Sequence, residues 1–254
     1  MPKFKNDNVS LHYEQHGTGS PVILLHGATV SFNYNYAQFG WIEALTDQGF
    51  QVIGLDFRGH GDSDKPFDSD SYGTKNLSND VLALMKHLKY DSVSLIAYSI
   101  GTAVALNLLH AYPKHFSSAV LIATGDGLLG FPPYTFDVIL PGLGKLFAYE
   151  KFPAHLPPHV AAYWTFLNEC GTNKESMIAF SGAQYPPLSN EEAATIEVPI
   201  LVVSGQRDPV LGKGPRLANS LAKAQYLEIP DADHFTLAAD KRTHLATIDF
   251  LLKS

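Results

Sequence analysis

Short apolar segments alternate with stretches of helical periodicity along most of this chain. Apolar runs of this kind suit strands that are buried on both faces, as in a parallel β-sheet covered by helices. The predicted strands are residues 9–15, 21–25, 51–56, 92–98, 117–123, 199–204 and 224–229. Helices are predicted where apolar residues recur every three or four positions, with Leu77/Val81/Leu84/Leu88, Ile100/Val104/Leu108 and Leu245/Ile248/Leu252 as the buried faces. The pattern therefore predicts an α/β fold with a mostly parallel sheet flanked by helices.

The composition fits one large domain. The 254 residues are 45% hydrophobic and 17% charged, which excludes the class of disordered, highly charged chains. Eighteen Lys and Arg stand against 25 Asp and Glu, giving a net charge of -7. A chain with this balance offers no basic surface to neutralise phosphates, so nucleic acid is not an expected partner.

The cysteine count and the N-terminal sequence bear on the compartment. Cys170 is the single cysteine, which excludes an internal disulfide and a cysteine-based metal cluster and fits a reducing compartment. Residues 1–17 contain no apolar stretch of the secretory-signal type. Residues 92–113 are long enough to span a bilayer, but polar residues interrupt them, so a buried strand and a core helix are predicted instead. We expect a cytoplasmic protein without a membrane partner; its oligomeric state stays open.

One segment breaks the alternation of strands and helices. Residues 125–190 hold 11 of the 29 aromatic residues and 8 of the 16 prolines, but only 8 of the 43 charged residues. This shift predicts a helical insertion at 125–192, with a core formed by 1–124 and 193–254. Its predicted helices are 134–149, 159–167 and 174–182. The insertion is either a lid over the end of the sheet or a set of packing helices without a role in binding.

A candidate nucleophile follows the fourth predicted strand. Residues 97–101 have the sequence AYSIG, and an amphipathic helix follows them. This is the strand-turn-helix setting of the G-x-S-x-G nucleophile elbow, with Ala97 at the position of the first glycine. Small residues are needed two positions before and after Ser99, because the sharp turn brings the strand and helix backbones close together.

A serine hydroxyl needs an imidazole to accept its proton and an acid to orient that imidazole. His234 follows the last predicted strand, and Asp208 follows the strand before it. Residues after the carboxyl ends of parallel strands converge on one edge of the sheet. The order Ser99, Asp208, His234 is also the order found with this type of elbow. We therefore predict Ser99, Asp208 and His234 as a catalytic triad.

These motifs together resemble the α/β-hydrolase family over nearly the whole chain. The matching pieces are LHGA at 25–28, DFRGHGDSD at 56–64, the elbow at Ser99, the acid Asp208 and the base His234. The resemblance implies the α/β-hydrolase fold with a helical cap inserted after the sixth strand. It also implies that an oxyanion hole is formed by the backbone N–H groups of Ile100 and Ala28, with Thr29 as the alternative to Ala28. His26 is expected to support this loop through a hydrogen bond.

Alternatives exist for several of these roles. Asp126 follows the strand at 117–123, and some relatives of this fold place their triad acid there, but the Gly-x-x-Asp context favours Asp208. The segment 58–64 lacks the first histidine of a His-x-His-x-Asp metal site. His155 and His159 have zinc-like spacing, but two prolines lie between them and no third ligand is apparent. The sequence GLG at 142–144 matches the first two glycines of a dinucleotide-binding fingerprint, but the third glycine is absent. No metal or other cofactor is predicted.

The resemblance implies a carboxylesterase that acts on a small-molecule ester. Serine at the elbow argues against haloalkane dehalogenases and epoxide hydrolases, which use an aspartate there. A perhydrolase or cofactor-free haloperoxidase, a lactonase, and a slow-turnover small-molecule receptor of the same fold remain as alternatives. The expected pocket is aromatic and nearly uncharged, and accepts small to medium apolar acyl chains. Its predicted lining is Phe32, Tyr34, Phe131, Tyr134, Phe147, Tyr163, Trp164, Phe166 and Phe235.

Overall fold

A single mixed β-sheet organises the molecule. The computed structural model describes residues 2–150, 164, 165, 167, 170, 172–208 and 210–254. Its strands in this part of the chain are β1 Lys3–Asn6, β2 Val9–His16, β3 Ser20–Leu25, β4 Phe50–Leu55, β5 Val93–Tyr98, β6 Phe116–Ile122, β7 Ile200–Gly205 and β8 Ala224–Ile229. Their order across the sheet is β1-β2-β4-β3-β5-β6-β7-β8. The β1–β2 and β2–β4 pairs are antiparallel, and the other neighbouring strands are parallel.

Helices connect most of the parallel strands. The α-helices of the described chain are α1 Phe32–Asn35, α2 Trp41–Thr46, α3 Thr74–Leu88, α4 Ile100–Ala111, α5 Phe136–Phe147, α6 Lys174–Ser181, α7 Asn190–Ala194, α8 Gly214–Ser220 and α9 Lys241–Leu251. Short 3₁₀ helices lie at Ala37–Phe39, Ser69–Ser71, Pro113–His115 and Asp126–Leu129. The prediction of an α/β fold with a mostly parallel sheet is confirmed.

The side chains of the central strands alternate between two hydrophobic layers. Leu25 of β3 and Ala97 of β5 point into the layer that contains α3 and α4. Leu24 and Ile96, their neighbours in sequence, point into the layer that contains α2 and α9. Successive residues of a strand face opposite sides of the sheet, so strands with continuous apolar sequences need helices on both sides. The long apolar runs of the sequence are explained by this sandwich.

Two sequence predictions need correction here. Strand β1 was not predicted, because Lys3–Asn6 is mostly polar and buries only Phe4. In the last helix, Leu245 and Leu252 are 68% and 57% exposed, so the predicted apolar face is wrong. The buried face of α9 instead carries polar residues beside apolar ones, namely Thr243, His244, Thr247, Phe250 and Leu251.

The predicted insertion lies between β6 and β7. The predicted helix 134–149 corresponds to α5, and the predicted helix 174–182 corresponds to α6. The predicted helix 159–167 lies largely outside the described residues. Within the described chain, we find no helix with both the length and the apolar character that a bilayer crossing requires.

Candidate active site

Ser99 lies in the sharp turn between β5 and α4. Its backbone has φ 50°, a value that residues other than glycine rarely adopt, and such strained positions concentrate at functional sites. A Cβ atom on Gly101 would lie 2.6 Å from the carbonyl oxygen of Leu25, so only glycine fits there. Ala97 is fully buried between Leu25 of β3 and Leu121 of β6. The turn therefore presents Ser99 above the centre of the sheet.

The three predicted triad side chains meet at the carboxyl edge of the sheet. Nε2 of His234 lies 3.0 Å from Oγ of Ser99, and Nδ1 of His234 lies 2.8 Å from Oδ2 of Asp208. The second carboxylate oxygen of Asp208 accepts the backbone N–H of Val210 at 2.9 Å. The side chains of His234 and Asp208 are 10% and 4% exposed. This arrangement places a proton acceptor against the serine hydroxyl and a carboxylate behind the acceptor.

Asp126, the alternative acid, has different partners. Its carboxylate forms an ion pair of 3.0 Å with Arg216 and accepts the backbone N–H of Lys213 at 2.8 Å. The side chain is buried, and these contacts tie the loop before α8 to the 3₁₀ helix after β6. Asp126 therefore contacts the loop that follows Asp208, while Asp208 itself contacts His234.

The loop after β3 lies beside Ser99 and carries the predicted oxyanion donors. The N–H of Gly27 donates to Oδ1 of Asn35 at 2.7 Å, and the N–H of Thr29 donates to Nε2 of His60 at 3.1 Å. The Thr29 N–H is thus committed, which favours Ala28 of the two predicted alternatives. Ile100 is the first residue of α4, where backbone N–H groups have no acceptor within the helix. Both Ala28 and Ser99 border the same cavity.

His26 lies beneath this loop and holds its backbone. Nδ1 of His26 lies 2.7 Å from the carbonyl oxygen of Gly27, and Nε2 accepts the N–H of Phe57 at 3.0 Å. Burial lowers the pKa of His26, which keeps the imidazole neutral and able to accept that hydrogen bond. These contacts match the supporting role expected for His26.

A large cavity of about 990 Å³ opens above Ser99. Ser99 and His234 form part of its wall, together with Tyr34 and Phe235 from the predicted pocket. Most of the other side chains that line it are apolar or aromatic, namely Phe39, Tyr98, Phe136, Ile139, Leu140, Leu143, Leu146, Tyr149 and Val210. The cavity is at the upper end of the usual size of small-molecule sites, and its polar lining includes Ser99, His234, Asp233 and Lys145.

Five of the predicted pocket residues do not border this cavity. Phe32 is buried against Gly54 of β4, and Phe147 is buried in the hydrophobic core. The ring of Phe131 lies under the guanidinium group of Arg216, 4.5 Å from it. Tyr134 packs on Gly127 and Gly212, and Trp164 packs against the core with Lys174 near its ring. Tyr163 and Phe166 lie outside the described residues.

The predicted lining omits the largely aliphatic wall that α5 contributes to the cavity. Phe136, Ile139, Leu140, Leu143 and Leu146 of α5 line it, and they recur at spacings of three and four residues. The sequence shows this periodicity, whereas the predicted lining consists of aromatic residues alone. In α5, the helix face on which a side chain lies, and not its aromatic character, determines whether it reaches the cavity.

Comparison with known proteins establishes the family. Residues 20–189 match the family model described as alpha/beta hydrolase fold. The chain belongs to the α/β-hydrolase family. This α/β-hydrolase is 28% identical over 225 residues to the AB hydrolase superfamily protein YisY of Bacillus subtilis strain 168, and the match covers 80% of each chain.

Solved structures share the fold of this α/β-hydrolase. An enol-lactonase from Burkholderia xenovorans LB400 superposes with a TM-score of 0.76 at 23% identity, over 99% of this chain and 100% of that chain. A thermophilic esterase from Thermogutta terrifontis superposes with a TM-score of 0.78 at 21% identity, over 96% of this chain and 94% of that chain. At these identities the likeness concerns the fold, and the chemistry must be argued from the residues of this site.

Among the described residues, no group of three or more His, Cys, Asp or Glu side chains is arranged to hold a metal ion. His60, from the segment that resembles part of a metal site, instead has both ring nitrogens within hydrogen-bond distance of the backbone. His155 and His159 lie outside the described residues.

Proposed function

We propose that this α/β-hydrolase cleaves carboxylic esters of small to medium apolar acyl chains through an acyl-enzyme intermediate. The observation that carries the proposal is the position of His234, whose two ring nitrogens contact Ser99 Oγ at 3.0 Å and Asp208 Oδ2 at 2.8 Å. Ser99 and His234 both border a mostly apolar cavity. A serine activated in this way attacks acyl groups.

The first half of the proposed reaction forms the acyl-enzyme. Oγ of Ser99 attacks the ester carbonyl carbon while Nε2 of His234 accepts the hydroxyl proton. Asp208 accepts a hydrogen bond from Nδ1–H of His234, which orients the ring and stabilises the imidazolium that forms. The N–H groups of Ile100 and Ala28 bind the negative oxygen of the tetrahedral intermediate. His234 then gives its proton to the leaving alcohol, and the carbon–oxygen bond to that alcohol breaks.

The second half releases the acid. A water molecule takes the place of the alcohol, and His234 accepts its proton as the water oxygen attacks the acyl carbon. The same two N–H groups bind the second tetrahedral intermediate. When that intermediate collapses, the bond to Ser99 breaks and His234 returns the proton to Oγ. The net reaction consumes one water molecule and yields an alcohol and a carboxylic acid.

The character of the cavity supports the preference for apolar acyl chains. Helix α5 contributes an aliphatic wall, and Phe39, Tyr98 and Phe235 add aromatic surface. Among the described residues, Lys145 is the one lysine or arginine that borders the cavity, and its side chain is exposed. Because α5 belongs to the 125–192 insertion, we propose that this insertion acts as a cap that forms part of the substrate site.

Turnover of p-nitrophenyl butyrate, compared between the wild type and Ser99→Ala, tests the proposal. We expect rapid release of p-nitrophenol by the wild type and loss of it in the variant. Stoichiometric labelling of Ser99 by an alkyl fluorophosphonate provides a second measurement that depends on the activated nucleophile. Labelling without ester turnover would refute the esterase function.

Three further assays separate the alternatives. Faster consumption of a γ-lactone than of any linear ester would point to a lactonase. Peracid formation with added hydrogen peroxide at a rate exceeding hydrolysis would point to a perhydrolase. Tight binding of a small molecule with no more than a few turnovers would point to a receptor.

A further inference from the structure

Thr29 holds an unusual place in the oxyanion loop. Its backbone has φ 70°, although a β-branched residue is strained in that left-handed region. The residue is only 2% exposed. Such a conformation persists only where surrounding contacts enforce it. The backbone N–H and the carbonyl oxygen of Thr29 each form one such contact.

The first contact comes from the core. His60 is buried, and its Nε2 accepts the Thr29 N–H at 3.1 Å, while its Nδ1 lies 3.0 Å from the carbonyl oxygen of Arg58. Burial, with His26 nearby, lowers the pKa of His60 to about 3. The neutral ring therefore carries its proton on Nδ1, donates it to Arg58, and offers Nε2 as the acceptor for Thr29.

The second contact comes from the 125–192 insertion. Oγ1 of Thr172 donates to the carbonyl oxygen of Thr29 at 2.8 Å. Thr172 directly precedes Asn173, whose side chain caps α6 by accepting the N–H of Ser176. In the same turn, Oγ of Ser176 donates to the carbonyl oxygen of Gly59 at 3.2 Å, next to His60. The start of α6 is thus bound both to the loop that contains Thr29 and to the loop that contains His60.

These contacts bear on the Ala28 N–H. The amide of Gly27 is fixed by Asn35, and the amide of Thr29 is fixed by His60, so the Ala28 N–H lies between two immobilised peptide units. An oxyanion donor is effective when it is held in place before the reaction, because no energy is then spent on reorienting it. The peptide unit that carries the Ala28 N–H directly precedes the unit that carries the Thr29 N–H, which couples its direction to the placement of Thr29.

We propose that His60 and Thr172 are positioning residues that hold Thr29 from opposite sides and thereby fix the Ala28 N–H in the oxyanion hole. The 125–192 insertion then contributes to stabilisation of the transition state through Thr172, besides lining the substrate cavity. This inference rests on the proposed function, since it assigns the hydrogen bonds to that same oxyanion hole.

Substitution of Thr172 tests the contact from the insertion. Thr172→Val keeps the shape of the side chain and removes the donor, whereas Thr172→Ser keeps the donor. Removing an oxyanion donor costs about 10² to 10³ in kcat, and displacing one costs less, so we expect Thr172→Val to lower kcat about tenfold. KM for p-nitrophenyl butyrate should stay nearly constant, and Thr172→Ser should restore most of the loss.

Thr195→Val is the matched control. Oγ1 of Thr195 also donates to a backbone carbonyl, that of Glu192 at 2.7 Å, but at an exposed helix end. We expect wild-type kcat from this variant. A trifluoromethyl ketone, which forms a tetrahedral oxyanion on the serine, should bind Thr172→Val less tightly by the same factor as kcat falls. Wild-type kcat and wild-type ketone affinity in Thr172→Val would overturn the role of Thr172.

Hydrogen exchange at the Thr29 amide tests the contact from His60 without reference to turnover. His60→Gln places an amide oxygen near the position of Nε2, whereas His60→Leu removes the acceptor. We expect exchange of the Thr29 amide to be about tenfold faster in His60→Leu than in the wild type, because exchange tracks local opening. His60→Gln should stay close to the wild type.

The two proposals fail in different ways. A wild type that does not hydrolyse esters refutes the proposed function, and the Thr29 exchange rates still decide whether His60 and Thr172 hold the loop. An active wild type with unchanged exchange in both His60→Leu and Thr172→Val refutes the positioning role alone. If His60→Leu does not fold, Thr172→Val supplies the same exchange measurement.

Discussion

The phenol hydroxyl of Tyr98 donates a hydrogen bond to the backbone carbonyl oxygen of His234, with the two oxygens 2.5 Å apart. Tyr98 is 5% exposed, and burial raises the pKa of its hydroxyl well above the usual range, which keeps the hydroxyl protonated as a donor. Its ring also lies edge-on to the imidazole, with centroids 6.0 Å apart. The residue before Ser99 therefore holds the loop that carries His234, the proposed base.

We expect Tyr98→Phe to lower kcat about tenfold while the protein stays folded. The substitution leaves the carbonyl of His234 without this donor, and a misplaced catalytic group can cost up to about 10²-fold. Tyr226→Phe is the control, because its hydroxyl contacts Ser204 at 2.7 Å on β7. Steady-state kinetics on p-nitrophenyl butyrate measure both variants. Equal kcat values for the two would show that Tyr98 has no influence on His234.

Substitution of the triad residues separates the two candidate acids. Ser99→Ala, His234→Ala and Asp208→Asn should each lower kcat by several orders of magnitude, since a residual of about 10³ to 10⁴ over the uncatalysed rate comes from the oxyanion hole and binding. Asp208→Asn should be the mildest. Asp126→Asn should keep near-normal kcat and lose stability, because its carboxylate pairs with Arg216. The reverse result for the two acids would make Asp126 the functional acid.

The convergence of the triad could be predicted because it depends on topology. Ser99, Asp208 and His234 each follow the carboxyl end of a parallel strand, and neighbouring parallel strands end at one edge. Strand β1 could not be predicted, since an edge strand with one buried residue lacks an apolar pattern. The buried face of α9 was mispredicted because Thr243 and His244 take core positions that hydropathy assigns to leucines.

The cavity lining was less accessible from the sequence. Phe32 and Tyr34 belong to one short helix, yet Tyr34 borders the cavity and Phe32 is buried in the core. Which of two nearby aromatic residues faces a cavity depends on how the helix is rotated against its neighbours. The choice between Ala28 and Thr29 likewise required a long-range contact, the hydrogen bond to His60.

The buried His60 predicts a loss of stability on acidification. In the folded protein, burial lowers its pKa to about 3, whereas an exposed histidine titrates near about 6.5. Between these pH values the unfolded chain binds a proton that the folded chain does not bind. The free energy of unfolding should therefore fall as pH falls through this window. The contribution of His60 is on the order of 2 kcal/mol between about pH 6.5 and 4.5.

Urea unfolding as a function of pH measures this contribution. In His60→Gln, the fall in the free energy of unfolding between about pH 6.5 and 4.5 should be smaller by the amount that His60 contributes. Part of the dependence should remain, because burial also lowers the pKa of His26. His115→Gln removes a histidine from an exposed position and serves as the comparison variant. Identical pH dependence in the wild type and His60→Gln would mean that His60 is protonated equally in the folded and unfolded states.

The dimensions and lining of the cavity predict how activity depends on acyl chain length. Each methylene group buried against α5 contributes about 0.8 kcal/mol, or roughly fourfold in kcat/KM, as long as space remains. A cavity of about 990 Å³ has room for a limited number of methylene groups, so the gain ends when the chain outgrows it. We expect kcat/KM to rise from the acetate to about the butyrate or hexanoate ester and to collapse by palmitate.

Measurement of kcat/KM over p-nitrophenyl esters from two to sixteen carbons tests this series. Leu143→Trp places a larger side chain in the cavity and should move the optimum to shorter chains. A maximum at the longest esters would indicate an open groove, and a preference for a charged acyl group would contradict the apolar pocket.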